Sequence, residues 1–129
     1  MNLKISILCE YNADLANFYA RSNSVFGTDL IFSELSLTES HKVSQTNTNV
    51  IIIDYDTIQL NSIEFIQSLK SRSIEVPIII IATKIDEHVF NQLLNLNIFA
   101  YVEKDNVLNY VLANYLYDIK KLQENHAAS

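Results

Sequence analysis

Short runs of continuous apolar residues alternate along the chain with longer segments whose apolar residues recur every three or four positions. The runs are Leu3 to Leu8, interrupted by Lys4 and Ser6, a shorter one from Leu30 to Phe32, Val50-Ile51-Ile52-Ile53 closing on Asp54, Val76 to Ala82, and Ile98 to Val102. Short, mostly β-branched runs bounded by polar residues predict strands whose two faces are both covered. Pro77 fits only at the start of the fourth run, where no ladder donor is needed. Between the runs the spacing turns helical. From Asn12, an N-cap, the positions Leu15, Phe18, Tyr19, Ser22 and Phe26 share a face, and Gly27 supplies the stop. Asn61-x-x-Glu64 has the form of a capping box ahead of Phe65, Ile66 and Leu69. Asp86 can cap a helix whose apolar face is Val89, Phe90, Leu93 and Leu94, and a last helix over 106–123 carries Leu108, Val111, Leu112, Tyr115, Ile119 and Leu122. The stretch 36–49 is rich in Ser, Thr and Asn with only Leu37 and Val43 as apolar anchors, so a helix there would be weakly held. Five strand-helix alternations predict an α/β fold: one doubly wound parallel sheet with helices on both faces.

Composition narrows the function classes. A chain of 129 residues is one domain, expected to span 1–125 with a short tail at 126–129, and it can bury a core without disulfides or metals. The net charge of −6, with nine Lys and Arg scattered along the chain, argues against a nucleic-acid surface. No basic module follows the last helix, so output is expected through a protein partner. The single cysteine, Cys9, excludes an intrachain bridge and fits a reducing compartment. No apolar run reaches membrane-spanning length and no signal-peptide pattern opens the chain, which makes a soluble, cytoplasmic protein with no membrane partner the expectation.

Ligands of open parallel sheets collect beyond the carboxyl ends of the strands. Asp54 ends the third strand, Glu10 follows the first and Lys104 follows the fifth. An acid at a strand end can equally well cap the next turn. In a sheet of order 2-1-3-4-5, however, strands one and three are neighbours, and two carboxylates and an ammonium then share one crevice.

With these residues in place, nearly the whole chain resembles the receiver domain of bacterial response regulators, a chemotaxis-regulator-like, flavodoxin-like fold. The resemblance implies that Asp54 is the phospho-acceptor, that Glu10, Asp54 and position 56, Asp56, bind Mg²⁺, and that Lys104 reads the phosphate. It also implies that Tyr101 is the aromatic residue that swings between inward and outward rotamers. The implied partners are a sensor histidine kinase or phosphotransfer protein and a downstream protein target in a two-component or phosphorelay pathway. The residue types suit that chemistry. A carboxylate attacks phosphorus only when the negative charge of both partners is offset, which a hard cation held by carboxylates can do. A lysine then pairs with the phosphoryl oxygens and biases a nearby loop.

Departures from the family pattern make this an atypical receiver. The usual acidic pair after strand one is Cys9-Glu10, so one carboxylate is missing, and Asp56 is the residue expected to replace part of its charge. The hydroxyl position holds Ala82, with Thr83 one residue later; if the strand keeps its register, Thr83 faces away from the site. Asp105 stands where the family has proline and adds negative charge beside Lys104, and Ile58 and Ser62 replace the Pro and Gly of the loop after the acceptor. The competing reading is a phosphorylation-independent pseudo-receiver that acts as a protein-interaction module.

Thr83-Lys84-Ile85-Asp86 matches the guanine-reading tetrapeptide of GTPases, but the chain's one glycine, Gly27, cannot build a phosphate loop, and a helix-capping loop is the better reading. His41, His88 and His126 share no metal-ligand spacing. Cys9, beside Glu10 and Asp54, reads as an inert thiol. With no Ser-His-Asp or Cys-His pairing, no enzyme activity is expected beyond self-phosphorylation chemistry. The last helix leaves Tyr110, Tyr117 and Lys121 toward solvent, and tyrosine is enriched at interfaces. By the resemblance, the face formed by the fourth helix, strand five and the fifth helix, with Tyr101, Tyr110 and Tyr117, is the partner or homodimer surface.

Overall fold

The computed structural model describes residues 3–9, 30–36, 47–57, 62–72 and 75–128. The helix expected over 12–26, Glu10, His41, Gly27 and most of the weak 36–49 stretch lie outside the described residues. Five strands form one parallel sheet in the order β2-β1-β3-β4-β5: β1 is Leu3–Leu8, β2 Leu30–Leu35, β3 Val50–Asp54, β4 Ile78–Ala82 and β5 Ala100–Glu103. A 3₁₀ turn at Tyr55–Thr57 follows β3, and three α-helices complete the described elements: α1 (Ser62–Arg72), α2 (Glu87–Asn95) and α3 (Leu108–Ala128).

The alternation of side chains along each strand sorts the core into two layers. Leu3, Ile5, Ile7, Val50, Ile52, Ile79 and Ile81 face α3, which answers with Leu108, Leu112, Leu116 and Ile119. Leu8, Ile51, Ile53, Ile78 and Ile80 face Ile66 and Leu69 of α1 and Leu93 of α2. Every residue of β3 and β4 is buried, as continuous apolar runs require of central parallel strands. Phe99 packs edge-on against Tyr115, ring centroids 5.9 Å apart, and ties the approach to β5 onto α3.

Several expected boundaries move. β2 extends past Phe32 to Leu35, because pairing with β1 in register from Leu3↔Leu30 to Leu8↔Leu35 holds even its exposed Ser33 and Glu34. Pro77 precedes β4 and accepts from the Ile51 N–H at 3.0 Å. α3 begins at Leu108 and continues through Gln123 to Ala128, since no Gly or Pro stops it. Two residues assigned to buried helix faces are solvent-facing: Leu94 is 55% and Leu122 52% exposed, and Leu116 takes the core position on α3. α2 ends with Asn97 at φ 58°, a left-handed position that asparagine tolerates better than most residues, and the Asn97 carbonyl accepts from Lys70 Nζ at 3.2 Å.

Ile52→Ala and Ile80→Ala, each emptying a fully buried position, are expected to cost about 2–5 kcal/mol in urea unfolding. Leu94→Gln, on the solvent face of α2, should stay within ~0.5 kcal/mol of the parent protein.

Candidate functional site

Parallel pairing sets the ends of β3, β4 and β5 side by side. Asp54 pairs with Ile81, Ala82 with Glu103, and the Lys104 N–H continues the ladder by donating to the Ala82 carbonyl at 2.8 Å. Asp54, Thr83 and Lys104 therefore leave three successive strand ends into one crevice. The 3₁₀ turn then folds Asp56 back over it, with the Asp56 N–H donating to Asp54 Oδ1 at 3.3 Å.

Lys104 is the cation of this cluster. Its ammonium donates to Asp54 Oδ1 at 2.6 Å and to Asp56 Oδ2 at 2.9 Å. The Asp54 side chain is 1% exposed and that of Asp56 34%, so the lysine bridges a buried carboxylate and one at the mouth of the crevice. Burial opposes the lysine's charge, yet the hydrogen bonds to Asp54 and Asp56, helped by their charge, outweigh it and hold the ammonium above its ordinary pKa. Burial likewise opposes the Asp56 carboxylate. The Lys104 hydrogen bond, those from the Thr83 hydroxyl and amide, and the lysine's charge prevail, and its pKa lies below the usual carboxylate value.

Thr83 departs from the sequence expectation. β4 ends at Ala82, strand alternation ends with it, and the bend turns Thr83 onto Asp56: Oγ1 donates to Asp56 Oδ2 at 2.8 Å, and the Thr83 N–H lies 3.2 Å from Oδ2 and 3.3 Å from Oδ1. The Asp56 carboxylate, expected to make good the acid replaced by Cys9, is committed instead to Thr83 and Lys104. Its contact with Thr83 crosses 27 positions, and no local pattern in the sequence signals it. Glu10 lies outside the described residues. Cys9 is buried, and its Sγ donates to Glu34 Oε1 at 3.5 Å. Asp105 turns to the next helix, accepting from the Val107 N–H at 2.9 Å, while Asp86 caps α2 by accepting from the His88 N–H at 2.8 Å.

Tyr101 is half-buried, its ring edge-on to Phe90 with centroids 5.6 Å apart. Burial, reinforced by the charges of Glu103 and Asp56, raises its phenol pKa against a hydrogen bond from the Ile85 backbone. The short loop after β4 is thus tied at Thr83 to Asp56, and its Ile85 packs, like Tyr101, against the apolar layer under α1 and α2. On α3, Tyr110 is 72% and Tyr117 48% exposed, with Lys121 Nζ 5.1 Å from the Tyr117 ring centre.

Asp54 and Asp56 offer the hard oxygen donors that suit Mg²⁺, which needs only one or two carboxylates and keeps waters or phosphate oxygens as its other ligands. Among the described residues no three of His, Cys, Asp and Glu gather closely enough to hold a metal ion. Nor, among those residues, is any helix long and apolar enough to cross a membrane.

Lys104→Met strips the ammonium from a buried carboxylate and is expected to cost about 3–5 kcal/mol at neutral pH, with Asp54→Asn in the same chain recovering most of it in urea unfolding. A carboxyl-carbon NMR titration of the variant should show the Asp56 pKa rising toward the ordinary aspartate value of 3.8. The signs follow from linkage. The depressed pKa of Asp56 stabilises the parent protein above the unfolded value, and this contribution is lost as pH falls through the folded pKa. The raised pKa of Lys104 stabilises below 10.5 and is lost as pH rises through its folded value.

No protein-family model and no curated protein sequence matches the chain. Solved structures do. A CheY-like response regulator receiver domain protein from Methanospirillum hungatei superposes with a TM-score of 0.76 at 13% identity, covering 97% of this chain and 99% of its own. The N-terminal domain of a protein from Wolinella succinogenes gives 0.75 at 18%, covering 96% and 98%, and the chemotaxis protein CheY4 of Vibrio cholerae gives 0.68 at 13%, covering 92% and 99%. Matched over almost its whole length and in its strand order, the chain has the receiver fold of response regulators.

Proposed function

We propose that the chain is a response-regulator receiver that accepts a phosphoryl group on Asp54 and signals through protein contacts. The observation that carries this reading is the pairing of Asp54, buried at the end of a central strand, with the Lys104 ammonium at 2.6 Å. A buried carboxylate paired with a lysine at the carboxyl edge of a parallel sheet is placed to meet a ligand, and the lysine is placed to follow the charge that arrives. The donor is a phosphohistidine of a sensor histidine kinase or phosphotransfer protein. An Asp54 oxygen forms the new bond to phosphorus as the bond from phosphorus to the imidazole nitrogen breaks, and the imidazole leaves after gaining a proton.

Mg²⁺ held by Glu10, Asp54 and the Asp56 backbone would offset the charge of donor and acceptor. Lys104 then pairs with the phosphoryl oxygens, and the Thr83–Ile85 loop transmits their position to Tyr101. Tyr101 and the exposed Tyr110 and Tyr117 form the face for a downstream protein target or a second copy of the chain. Transfer takes place in the cytoplasm, and the protein acts as a phospho-acceptor rather than a turnover enzyme.

A second reading, a phosphorylation-independent interaction module, is favoured by the near-complete burial of Asp54 behind its lysine. The two separate on one experiment. With acetyl phosphate and Mg²⁺, intact-mass measurement should show one phosphoryl addition to the parent protein and none to Asp54→Asn. Equal addition to both rejects Asp54 as the acceptor, and addition to neither favours the module.

A further inference from the structure

One oxygen of the crevice receives an unusual share of its donors. Asp56 Oδ2 accepts from the Thr83 hydroxyl at 2.8 Å, the Lys104 ammonium at 2.9 Å and the Thr83 N–H at 3.2 Å. A backbone amide, a hydroxyl and an ammonium converging on one anionic oxygen form the donor set that would hold a phosphoryl oxygen. In this chain a carboxylate two residues beyond Asp54 already fills it.

We propose that Asp56 is a resident anion: it occupies the oxyanion site formed by Thr83 and Lys104, and so sets the post-β4 loop and Tyr101 before any phosphoryl group arrives. The proposal rests on the reading of Asp54 as the phospho-acceptor. Its physical basis is competition for the same donors. A phosphoryl group on Asp54 carries about −1.5 to −2 charges at neutral pH. It would have to win Lys104 and Thr83 from a carboxylate whose own N–H donates to Asp54 Oδ1 at 3.3 Å. Like-charge repulsion then disfavours the arriving group, and its arrival gives Thr83 little that it does not already have. Because the loop is fastened at Thr83 to Asp56, and Ile85 of that loop packs against the same apolar layer as Tyr101, the resident carboxylate bears on the loop that lies between it and the aromatic residue.

The test is an amide and aromatic NMR titration of the full chain and of Asp56→Asn and Asp56→Ala, first without additions and then with Mg²⁺ and beryllofluoride. Without additions, the Asp56→Ala resonances of Thr83, Ile85, Tyr101 and Lys104 should move away from those of the parent protein, with Asp56→Asn moving in the same direction. Beryllofluoride should then return Thr83 toward its parent position, and it should bind both variants roughly tenfold more tightly than the parent, the size of an ordinary coupling between two ligands of one site. Unmoved Thr83 and Tyr101 resonances in both variants overturn the proposal. So does beryllofluoride binding that is equal in all three proteins or weaker in the variants, the latter being what loss of a metal ligand would give. If Thr83 and Tyr101 move on substitution but beryllofluoride binds none of the three, the resident anion stands and the acceptor reading of Asp54 fails.

Discussion

The ion pair between Asp54 and Lys104 is the constraint around which the carboxyl edge of the sheet is built. A carboxylate 1% exposed is tolerable only if a cation and hydrogen bonds replace the water it gives up. That cation comes from a residue 50 positions away, so the pair exists only when β3, β4 and β5 lie adjacent and in register. The two apolar layers fix that register. Ile52 and Ile79 point to α3 while Ile51 and Ile80 point to α1 and α2, and a slip of one residue would exchange the layers and break the packing of both. The hydrophobic core thus determines where Asp54 ends its strand, and the strand end determines which lysine it meets.

Asp56 turns this pair into a network. By sharing Lys104 with Asp54 and taking both donors of Thr83, it links the 3₁₀ turn after β3 to the loop after β4. Ile85, two residues beyond Thr83, meets Tyr101, whose ring is wedged against Phe90 of α2. A change of charge at the buried aspartate therefore has a short, contiguous route to an aromatic side chain near the surface. Coupling through such contacts requires an element with two arrangements, and the loop between Ala82 and α2, whose Thr83 is held to Asp56 by hydrogen bonds, is the part of the described structure best suited to supply it.

Much of this was legible from residue order, and the limits have physical causes. β1 and β3 could be bounded because each is an apolar run that stops on polar residues, whereas β2 could not, since backbone pairing with β1 holds its polar half. Periodicity located α2 and α3 but misassigned Leu94 and Leu122, because a helix buries only the residues its neighbours cover. Glu10, Asp54 and Lys104 stood out as charged residues at strand ends. The engagement of Thr83 with Asp56 did not, since it depends on the bend that ends β4.

By itself the sequence determined the alternation of strands and helices, the strands to be buried on both faces, and the acid and lysine that end β3 and β5. These are consequences of local propensity and of the pattern of apolar residues, which any chain carries in its order. The tertiary structure alone decided the partners: that Lys104 spans Asp54 and Asp56, that Thr83 turns onto Asp56, and that Tyr101 rests against Phe90. Those are contacts between residues distant in sequence, and their geometry is set by which strands lie side by side and by the bends that follow the strand ends, which local patterns do not encode.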